Sequence, residues 1–159
     1  MDQWNNQAAC WAEYVCSNNE RRELLDSILD RLGDLASTPK KKIVELGCGE
    51  GVFCRMLKTR FPKAMVTGMD FSESLLQIAK SLGGGVEYAV ADFEKPWQIP
   101  SSENDLVLAV FSFFEAESLT NAFASAKKML ASRGKFVLVI TDPLIDLLKC
   151  KSGWSVDAE

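Results

Sequence analysis

Short apolar runs alternate with helical patterns along most of the chain, and this alternation limits the folds that the sequence can adopt. β-branched and apolar runs predict strands over residues 42–46, 64–69, 85–90, 105–110 and 135–140. Apolar residues at helical spacing predict helices over 51–60, 73–82 and 118–131. The runs lack polar alternation, so we expect strands that are buried on both faces. The sequence therefore predicts an α/β fold: a doubly wound, mostly parallel sheet in three α/β/α layers.

Two further helices are predicted before the sheet, and one irregular segment within it. An apolar stripe at helical spacing predicts a helix over 1–16, and a leucine-rich stripe predicts a second helix that ends at STPK, residues 37–40. Segment 91–104 has two prolines and a polar tail, which predict a loop with at most one helical turn. We expect one domain over residues 1–159, which divides into N-terminal helices (1–38), a core (40–143) and an incomplete C-terminal part (144–159).

Composition excludes several classes of function. The chain has no histidine, so Ser-His-Asp or Cys-His catalysis, histidine zinc sites and a histidine general base are excluded within it. The five cysteines contain no C-x-x-C pair, which predicts free thiols and no metal site. A net charge of -4 disfavours nucleic acid as a partner. The apolar runs are too short to span a membrane and no secretion signal is recognisable, so we expect a cytoplasmic protein without membrane contact.

The first predicted strand ends in a loop with little side-chain bulk. Residues 45–51 read ELGCGEG and place Gly47, Gly49 and Gly51 directly after the strand. In a doubly wound sheet, ligands bind outside the carboxyl ends of the strands, close to the first strand-to-helix loop. A Cβ in this loop could fill the space that a ligand needs or disfavour the positive φ of a sharp turn. The glycines therefore predict a ligand-binding loop, with a simple tight turn as the alternative.

The same loop distinguishes between two classes of nucleotide ligand. The dinucleotide fingerprint G-x-G-x-x-G would place its last glycine at position 52, which is Val52. Glu45, two residues before the first glycine, would repel a pyrophosphate but suits a ligand that carries an amine or a sulfonium. The sequence therefore favours a cationic nucleoside, and an NAD-dependent oxidoreductase is the less favoured alternative.

Residues 44–51, VELGCGEG, resemble the first motif of the class I S-adenosylmethionine-dependent methyltransferases, an acid followed by Gly-x-Gly-x-Gly. Further segments extend the resemblance, in the family's order, over about residues 40–143: GMDFS, ADFE, NDLVLAVFSFFEAESL and KKMLASRGKFVLVITDP, with Gly134 in the usual turn. The resemblance implies the Rossmann-like methyltransferase fold. It also implies S-adenosylmethionine as the cofactor and S-adenosylhomocysteine as its product.

The resemblance implies roles for individual residues. Asp70 would accept hydrogen bonds from both ribose hydroxyls, Asp92 would accept from the adenine amine, and the Phe93 backbone amide would meet the adenine ring. The full set of predicted cofactor-binding residues is Glu45, Gly47, Cys48, Gly49, Gly51, Asp70, Phe71, Asp92, Phe93, Val110 and Tyr14. Asp70 and Asp92 have an alternative role as helix caps or turn formers, which aspartate also favours.

The first predicted helix carries Trp4, Trp11 and Tyr14. Aromatic residues at helical spacing usually pack a helix onto the core, and we expect this role for all three. The functional alternative is a lid over the ligand, with Tyr14 near the ligand carboxylate.

Methyl transfer from a sulfonium is an in-line displacement from an activated donor, so the protein mainly aligns the reactants and excludes water. An acceptor oxygen or nitrogen that must lose a proton needs a base, and Glu115 and Glu117 are the predicted catalytic residues. Stabilisation of a helix start by its dipole is the alternative role for these glutamates. The fourth segment has neither the family's histidine pair nor its Asn/Asp-Pro-Pro-aromatic sequence, which leaves a small molecule as the predicted acceptor.

The resemblance stops before the helix and antiparallel hairpin with which the family's sheet usually ends. We therefore expect that either a missing C-terminal region or the second copy of a homodimer covers the exposed sheet edge. A cofactor-binding module without catalytic activity, with a regulatory or scaffolding role, is the alternative to an enzyme.

Overall fold

A computed structural model of the chain describes residues 2–33, 41–101 and 103–141. The helices are α1 (Asp2–Ser17), α2 (Asn19–Arg31), α3 (Val52–Arg60), α4 (Glu73–Ser81) and α5 (Leu119–Met129), with a short 3-10 helix at Phe113–Glu115. The strands are β1 (Lys42–Leu46), β2 (Met65–Asp70), β3 (Glu87–Val90), β4 (Asn104–Val110) and β5 (Leu130–Val139). The predicted C-terminal part, 144–159, lies outside the described residues.

The strands form one parallel sheet in the order β3-β2-β1-β4-β5. The chain moves outward from β1 through β2 to β3 and then returns to the other side of β1 with β4. The strand order therefore reverses between β1 and β4, the point at which ligands bind in doubly wound sheets. The predicted doubly wound parallel sheet is confirmed.

Helices cover both faces of the sheet. Apolar residues of α2, α3 and α4 pack on one face: Leu25, Ile28, Leu29, Phe53, Leu57 and Leu76, against Ile43, Val66, Leu106 and Leu108. On the other face α5 and the segment before β4 contribute Phe93, Ile99, Ala122, Ala126 and Met129, against Val44, Leu46, Val107 and Ala109. Alternate residues of β1 thus enter opposite layers, as a strand with a side-chain period of two requires. The three layers match the prediction.

Side-chain caps fix the first turn of three helices. Asn18, Ser72 and Ser118 each accept a hydrogen bond from the backbone N–H three residues later, at the starts of α2, α4 and α5. Helix α3 differs, because it begins after Gly51 in the left-handed conformation and has no side-chain cap. The start of α3 is therefore set by the glycine loop that precedes it.

The expectation that every strand is buried on both faces is wrong for β3 and β5. Val90 of β3 and Lys135 of β5 are exposed, because each strand has only one neighbour among the described residues. β5 also begins five residues before its predicted start. The first residues of β5 were predicted to belong to the preceding helix. Asn104 pairs with Leu130 and Leu106 with Lys135, so an irregular stretch over residues 131–134, which includes Gly134, extends the strand backwards.

The segment before β4 is irregular, as predicted. Two backbone turns occur in it, from the Lys95 N–H to the Asp92 carbonyl and from the Gln98 N–H to the Lys95 carbonyl. Across the three described ranges, no helix is long and apolar enough to cross a membrane.

Candidate functional site

A cavity of about 790 Å³ lies at the carboxyl ends of β1, β2, β3 and β4, beneath α1 and α2. This volume lies within the range of small-molecule and cofactor sites. The predicted site residues that line it are Glu45, Gly47, Cys48, Gly49, Asp70, Phe71, Asp92, Phe93, Val110, Glu115 and Glu117. Gly51 and Tyr14 are the two that do not. A single cavity at the switch point of the sheet is thus lined by residues from four separate strand ends.

The glycine loop turns sharply over the end of β1. Its three glycines have φ values of 72°, 56° and 76°, and the N–H groups of Gly47 and Cys48 both donate to the Met69 carbonyl of β2. A Cβ on Gly49 would have only one near neighbour, the indole nitrogen of Trp11 at 3.7 Å. The open space beside Gly49 belongs to the cavity, so a ligand can approach the backbone there.

Gly51 lacks a side chain for a different reason. A Cβ on Gly51 would overlap the Tyr88 hydroxyl and lie 2.7 Å from the Tyr88 ring. The Tyr88 hydroxyl donates to the Gly51 carbonyl at 3.4 Å, which holds the ring against the loop. The bare backbone at Gly51 therefore accommodates Tyr88, within the protein.

Glu45 lies at the end of β1 with only 3% of its surface exposed. Burial raises its pKa to about 8, and the nearby carboxylates of Glu50 and Asp70 add to the rise. A hydrogen bond from the Cys54 thiol, 2.9 Å from the carboxylate, acts in the opposite direction. A cation in the cavity would favour the ionised form of Glu45.

Asp70 connects the tip of β2 to two neighbouring segments. One carboxylate oxygen accepts from the Gly49 N–H at 2.8 Å, and the other accepts from the Ser72 N–H at 2.9 Å. Burial raises the pKa of this carboxyl group, and the backbone hydrogen bonds oppose the rise. A carboxylate offers about four acceptor positions, so about two remain for a ligand. Asp70 has the turn-forming role that was the alternative, and its ligand role stays a prediction.

Asp92 and Phe93 follow β3 on the other side of the cavity. Asp92 accepts from the Glu94 N–H at 2.9 Å and forms an ion pair with Lys95 at 2.9 Å. The Phe93 ring stacks on Phe113 with a centroid distance of 5.0 Å. Asp92 thus shapes its own loop, and Phe93, which packs on the buried Phe113, adds an aromatic ring to the lining of the cavity.

The aromatic residues of α1 differ in their relation to the cavity. Trp4 and Trp11 line it. Tyr14 is 52% exposed and does not line it. The Tyr14 hydroxyl instead accepts a hydrogen bond from Asn18 at 2.9 Å. The structure therefore does not bring Tyr14 to the position by a ligand carboxylate that the sequence suggested.

Sequence analysis missed a cluster that involves both N-terminal helices. The Trp11 indole N–H donates to the Glu50 carboxylate at 3.1 Å, and the Arg21 guanidinium lies 5.1 Å from the Trp11 ring centroid. Arg21 also lies 5.5 Å from the ring of Phe111, which has a positive φ of 55°. Glu50 occupies a variable position of the glycine motif, and Arg21 follows the polar start of α2. Neither position carries a local signal of function.

Glu115 and Glu117 line the cavity and are exposed. The backbone of this region is fixed by Glu94, whose carboxylate accepts from the Ser118 N–H at 2.7 Å, at the start of α5. An acid at a helix start is favoured by the helix dipole. Here Glu94 makes the direct contact with the helix start.

A doubly wound parallel sheet with carboxylates at adjacent strand ends around a glycine loop defines a nucleoside-binding α/β domain. Residues 43–134 match the methyltransferase domain family. The chain therefore belongs to the class I S-adenosylmethionine-dependent methyltransferases, as predicted, and S-adenosylmethionine is the cofactor of this family.

Individual relatives support this assignment. The chain is 30% identical to trans-aconitate 2-methyltransferase of Acidovorax sp. over 116 residues, 73% of this chain and 44% of that protein. It is 35% identical to malonyl-[acyl-carrier protein] O-methyltransferase of Bacillus anthracis over 78 residues, 49% of this chain and 28% of that protein. The chain thus spans less than half the length of these curated relatives.

Solved structures show the same fold. An S-adenosylmethionine-dependent methyltransferase of Mesorhizobium loti is 31% identical, with a TM-score of 0.57 over 64% of this chain and 47% of that chain. A protein of Pyrococcus horikoshii is 24% identical, with a TM-score of 0.71 over 86% of this chain and 61% of that chain.

The residues of the cavity fit the family's cofactor. Acidic residues outnumber Arg21 and Lys95 in the lining, and Lys95 is paired with Asp92. An excess of carboxylates suits a ligand with a net positive charge, such as a sulfonium nucleoside that also carries an amino-acid group. Asp70 has acceptor positions left for hydroxyl groups, and the Phe93 ring offers an apolar surface to a base.

Proposed function

We propose that the protein transfers the methyl group of S-adenosylmethionine to a small-molecule acceptor. One observation carries the proposal: in a member of the methyltransferase family, a single cavity contains the glycine loop, Asp70, Asp92 and the end of β4. When bound, S-adenosylmethionine supplies a methyl group that is already activated for displacement. The protein then needs chiefly to hold the reactants in line and to keep water out.

Each part of the cavity has a proposed task. Asp70 accepts hydrogen bonds from the ribose, Asp92 accepts from the adenine amine, and Phe71 and Phe93 contact the base. The backbone of Gly47 and Gly49 lies against the methionine portion, as the open space beside Gly49 allows. Trp4 and Trp11 cover the cavity from α1 and exclude water from the reacting atoms.

A carboxylate oxygen is the acceptor that the observations favour. The names of the two curated relatives contain trans-aconitate and malonyl, and both of these are carboxylic acids. A carboxylate is already deprotonated at neutral pH, so its methylation needs no general base. This suits a chain without histidine. An alcohol or amine acceptor would instead require a base, and Glu115 and Glu117 are the proposed candidates.

A methyl-transfer assay tests this function. Labelled S-adenosylmethionine is supplied with matched panels of carboxylic acids, alcohols and amines, and the product is treated with base, which releases the methyl group of an ester as methanol. We expect base-labile label from an acid acceptor. We also expect Glu115→Gln and Glu117→Gln to leave that turnover within a few-fold of wild type.

Two results would contradict parts of the proposal. Base-stable label that falls about a hundredfold or more in a glutamine variant would replace the carboxylate acceptor with one that needs a base. Cofactor binding without transfer to any panel member, in this chain and in any longer natural form, would favour the non-catalytic module.

A further inference from the structure

Hydrogen bonds connect helix α1 to the segments that follow β1 and β2. Near the start of α1, the Asn5 side-chain oxygen accepts from the Ser72 hydroxyl at 2.7 Å and from the Ser74 N–H at 3.4 Å. Six residues later, the Trp11 indole N–H donates to the Glu50 carboxylate at 3.1 Å. A helix rises about 1.5 Å per residue, so these contacts lie roughly 9 Å apart along its axis. The part of α1 between them is therefore held at both ends.

The held part of α1 lies over the cavity. Trp4 and Trp11 line the cavity, and their rings meet edge to face with centroids 5.4 Å apart. Asn5 follows Trp4 directly, but it is not one of the residues that line the cavity. The hydrogen bonds of Asn5 therefore act from outside the ligand space, on the helix that carries both tryptophans.

The contact of Asn5 continues through Ser72 to Asp70. Ser72 is completely buried, and its backbone N–H donates to an Asp70 carboxylate oxygen at 2.9 Å. The Ser72 hydroxyl also caps α4, because it accepts from the Leu75 N–H at 3.2 Å. A hydroxyl has one hydrogen to donate, and here that hydrogen goes to Asn5. One buried serine thus joins α1, the start of α4 and the acid at the tip of β2.

We infer that Asn5 is a positioning residue, which ties the part of α1 that covers the cavity to the strand tip that carries Asp70. The inference rests on the proposed function of the cavity. A cofactor in the cavity lies beneath Trp4 and Trp11, so this part of α1 must move before the cofactor leaves. The hydrogen bonds of Asn5 break during that movement, and they therefore slow the release of the cofactor.

A general contribution to stability is the rival role for Asn5. A loss of stability lowers the fraction of folded protein, but it does not accelerate release from a complex that is already folded. A tie on α1 instead predicts faster release when the tie is removed. The dissociation rate constant of the cofactor therefore distinguishes the two roles.

The chemistry of the contact determines which variants are informative. The Ser74 N–H only donates, so the Asn5 atom that it meets is the carbonyl oxygen and not the amide nitrogen. Aspartate keeps this acceptor, whereas leucine has a similar size and no acceptor. Asn5→Leu therefore removes the hydrogen bonds, and Asn5→Asp retains them. Asn6→Leu makes the same change at the exposed neighbour in the same helix.

Stopped-flow dilution of the complex with S-adenosylhomocysteine, followed by tryptophan fluorescence, measures the dissociation rate constant. We expect release from Asn5→Leu to be about tenfold faster than from wild type, as the loss of a buried hydrogen bond implies. Asn5→Asp should stay within about twofold of wild type, and Asn6→Leu should match wild type. Asn5→Ala is the second variant, because it removes the acceptor without adding apolar bulk, and it should resemble Asn5→Leu.

Equal dissociation rate constants in wild type, Asn5→Leu and Asn5→Ala would overturn the inference. Release from Asn5→Asp that is as fast as from Asn5→Leu would also overturn it, because Asn5→Asp keeps the acceptor. The same acceleration in Asn6→Leu would overturn it as well and assign the effect to the helix as a whole. Failure of wild type to bind S-adenosylhomocysteine would instead overturn the proposed function, and the positioning role with it.

Discussion

Replacement of Glu45 with glutamine should remove much of the pH dependence of stability that the ligand-free protein has. Glu45 is 3% exposed, and burial raises its pKa from an ordinary 4.5 to about 8. Glutamine has a similar shape, can still accept the hydrogen bond from Cys54 and does not titrate. The substitution therefore isolates the effect of the buried charge.

The sign follows from the order of the two pKa values. Between about pH 4.5 and 8 the folded state retains a proton that the unfolded chain has lost, so the free energy of unfolding falls as the pH rises. The contribution of Glu45 is complete below pH 4.5 and lost above pH 8. At about 1.4 kcal/mol per pH unit, the interval corresponds to on the order of 5 kcal/mol. Burial also raises the pKa values of Glu50 and Asp70, so a weaker slope of the same sign should remain in Glu45→Gln.

Urea unfolding at pH 5, 6, 7 and 8, followed by tryptophan fluorescence, measures this dependence. We expect the free energy of unfolding of wild type to fall over the series, a flatter profile for Glu45→Gln, and a more stable variant than wild type at pH 8. Glu87→Gln removes an exposed carboxyl group of the same sheet and should retain the wild-type slope. Equal slopes for wild type and Glu45→Gln would refute the link between burial and the raised pKa.

Two further substitutions test the loop and the strand tip. Gly51→Ala should destabilise the fold by roughly 3 kcal/mol in urea unfolding, from left-handed strain and overlap with Tyr88. Gly83→Ala, also left-handed but with no atom within 4 Å of the added Cβ, should cost only about 1–2 kcal/mol, and equal losses would contradict the steric explanation. Asp70→Ala should weaken S-adenosylhomocysteine binding by roughly 1.5 to 3 kcal/mol for each charged hydrogen bond lost, as measured by calorimetry. Asp30→Ala, which breaks a surface ion pair with Arg60, should leave the affinity unchanged, and an unchanged affinity in Asp70→Ala would remove that residue from the site.

The order of strands and helices could be predicted because each element is encoded by its own local pattern. The predicted first strand, 42–46, coincides with β1. The predicted boundary between α5 and β5 was wrong, because the pairing of Asn104 with Leu130 determines where β5 begins. A contact between residues 26 positions apart leaves no local pattern in the sequence. The exposure of β3 and β5 likewise depends on how many strands lie beside each of them. An apolar run in the sequence does not indicate that number.

The same distinction holds for the site. Glu45, Asp70 and Asp92 lie at the carboxyl ends of successive strands, and a doubly wound sheet brings such positions to one edge, so their meeting could be predicted. Arg21 and Glu50 could not be, because they meet through Trp11 across the N-terminal helices. A helical stripe indicates which face of a helix is buried, but it does not indicate what that face contacts.

Coverage of the sheet edge stays a prediction. β5 has no second neighbour among the described residues, and Ile140 is exposed beside it. An unpaired edge invites association, so either further chain or a second copy is the proposed cover. Light scattering after size-exclusion chromatography distinguishes them, because a dimer supports the second copy and a monomer excludes it.

The central claim is that the cavity at the strand ends holds a cationic nucleoside and not a dinucleotide. Calorimetric titration of wild type with S-adenosylmethionine and, separately, with NAD tests it most directly. We predict one S-adenosylmethionine bound per chain and no heat of binding with NAD at the same concentrations. Saturable NAD binding, or no binding of S-adenosylmethionine at millimolar concentration, would contradict the account.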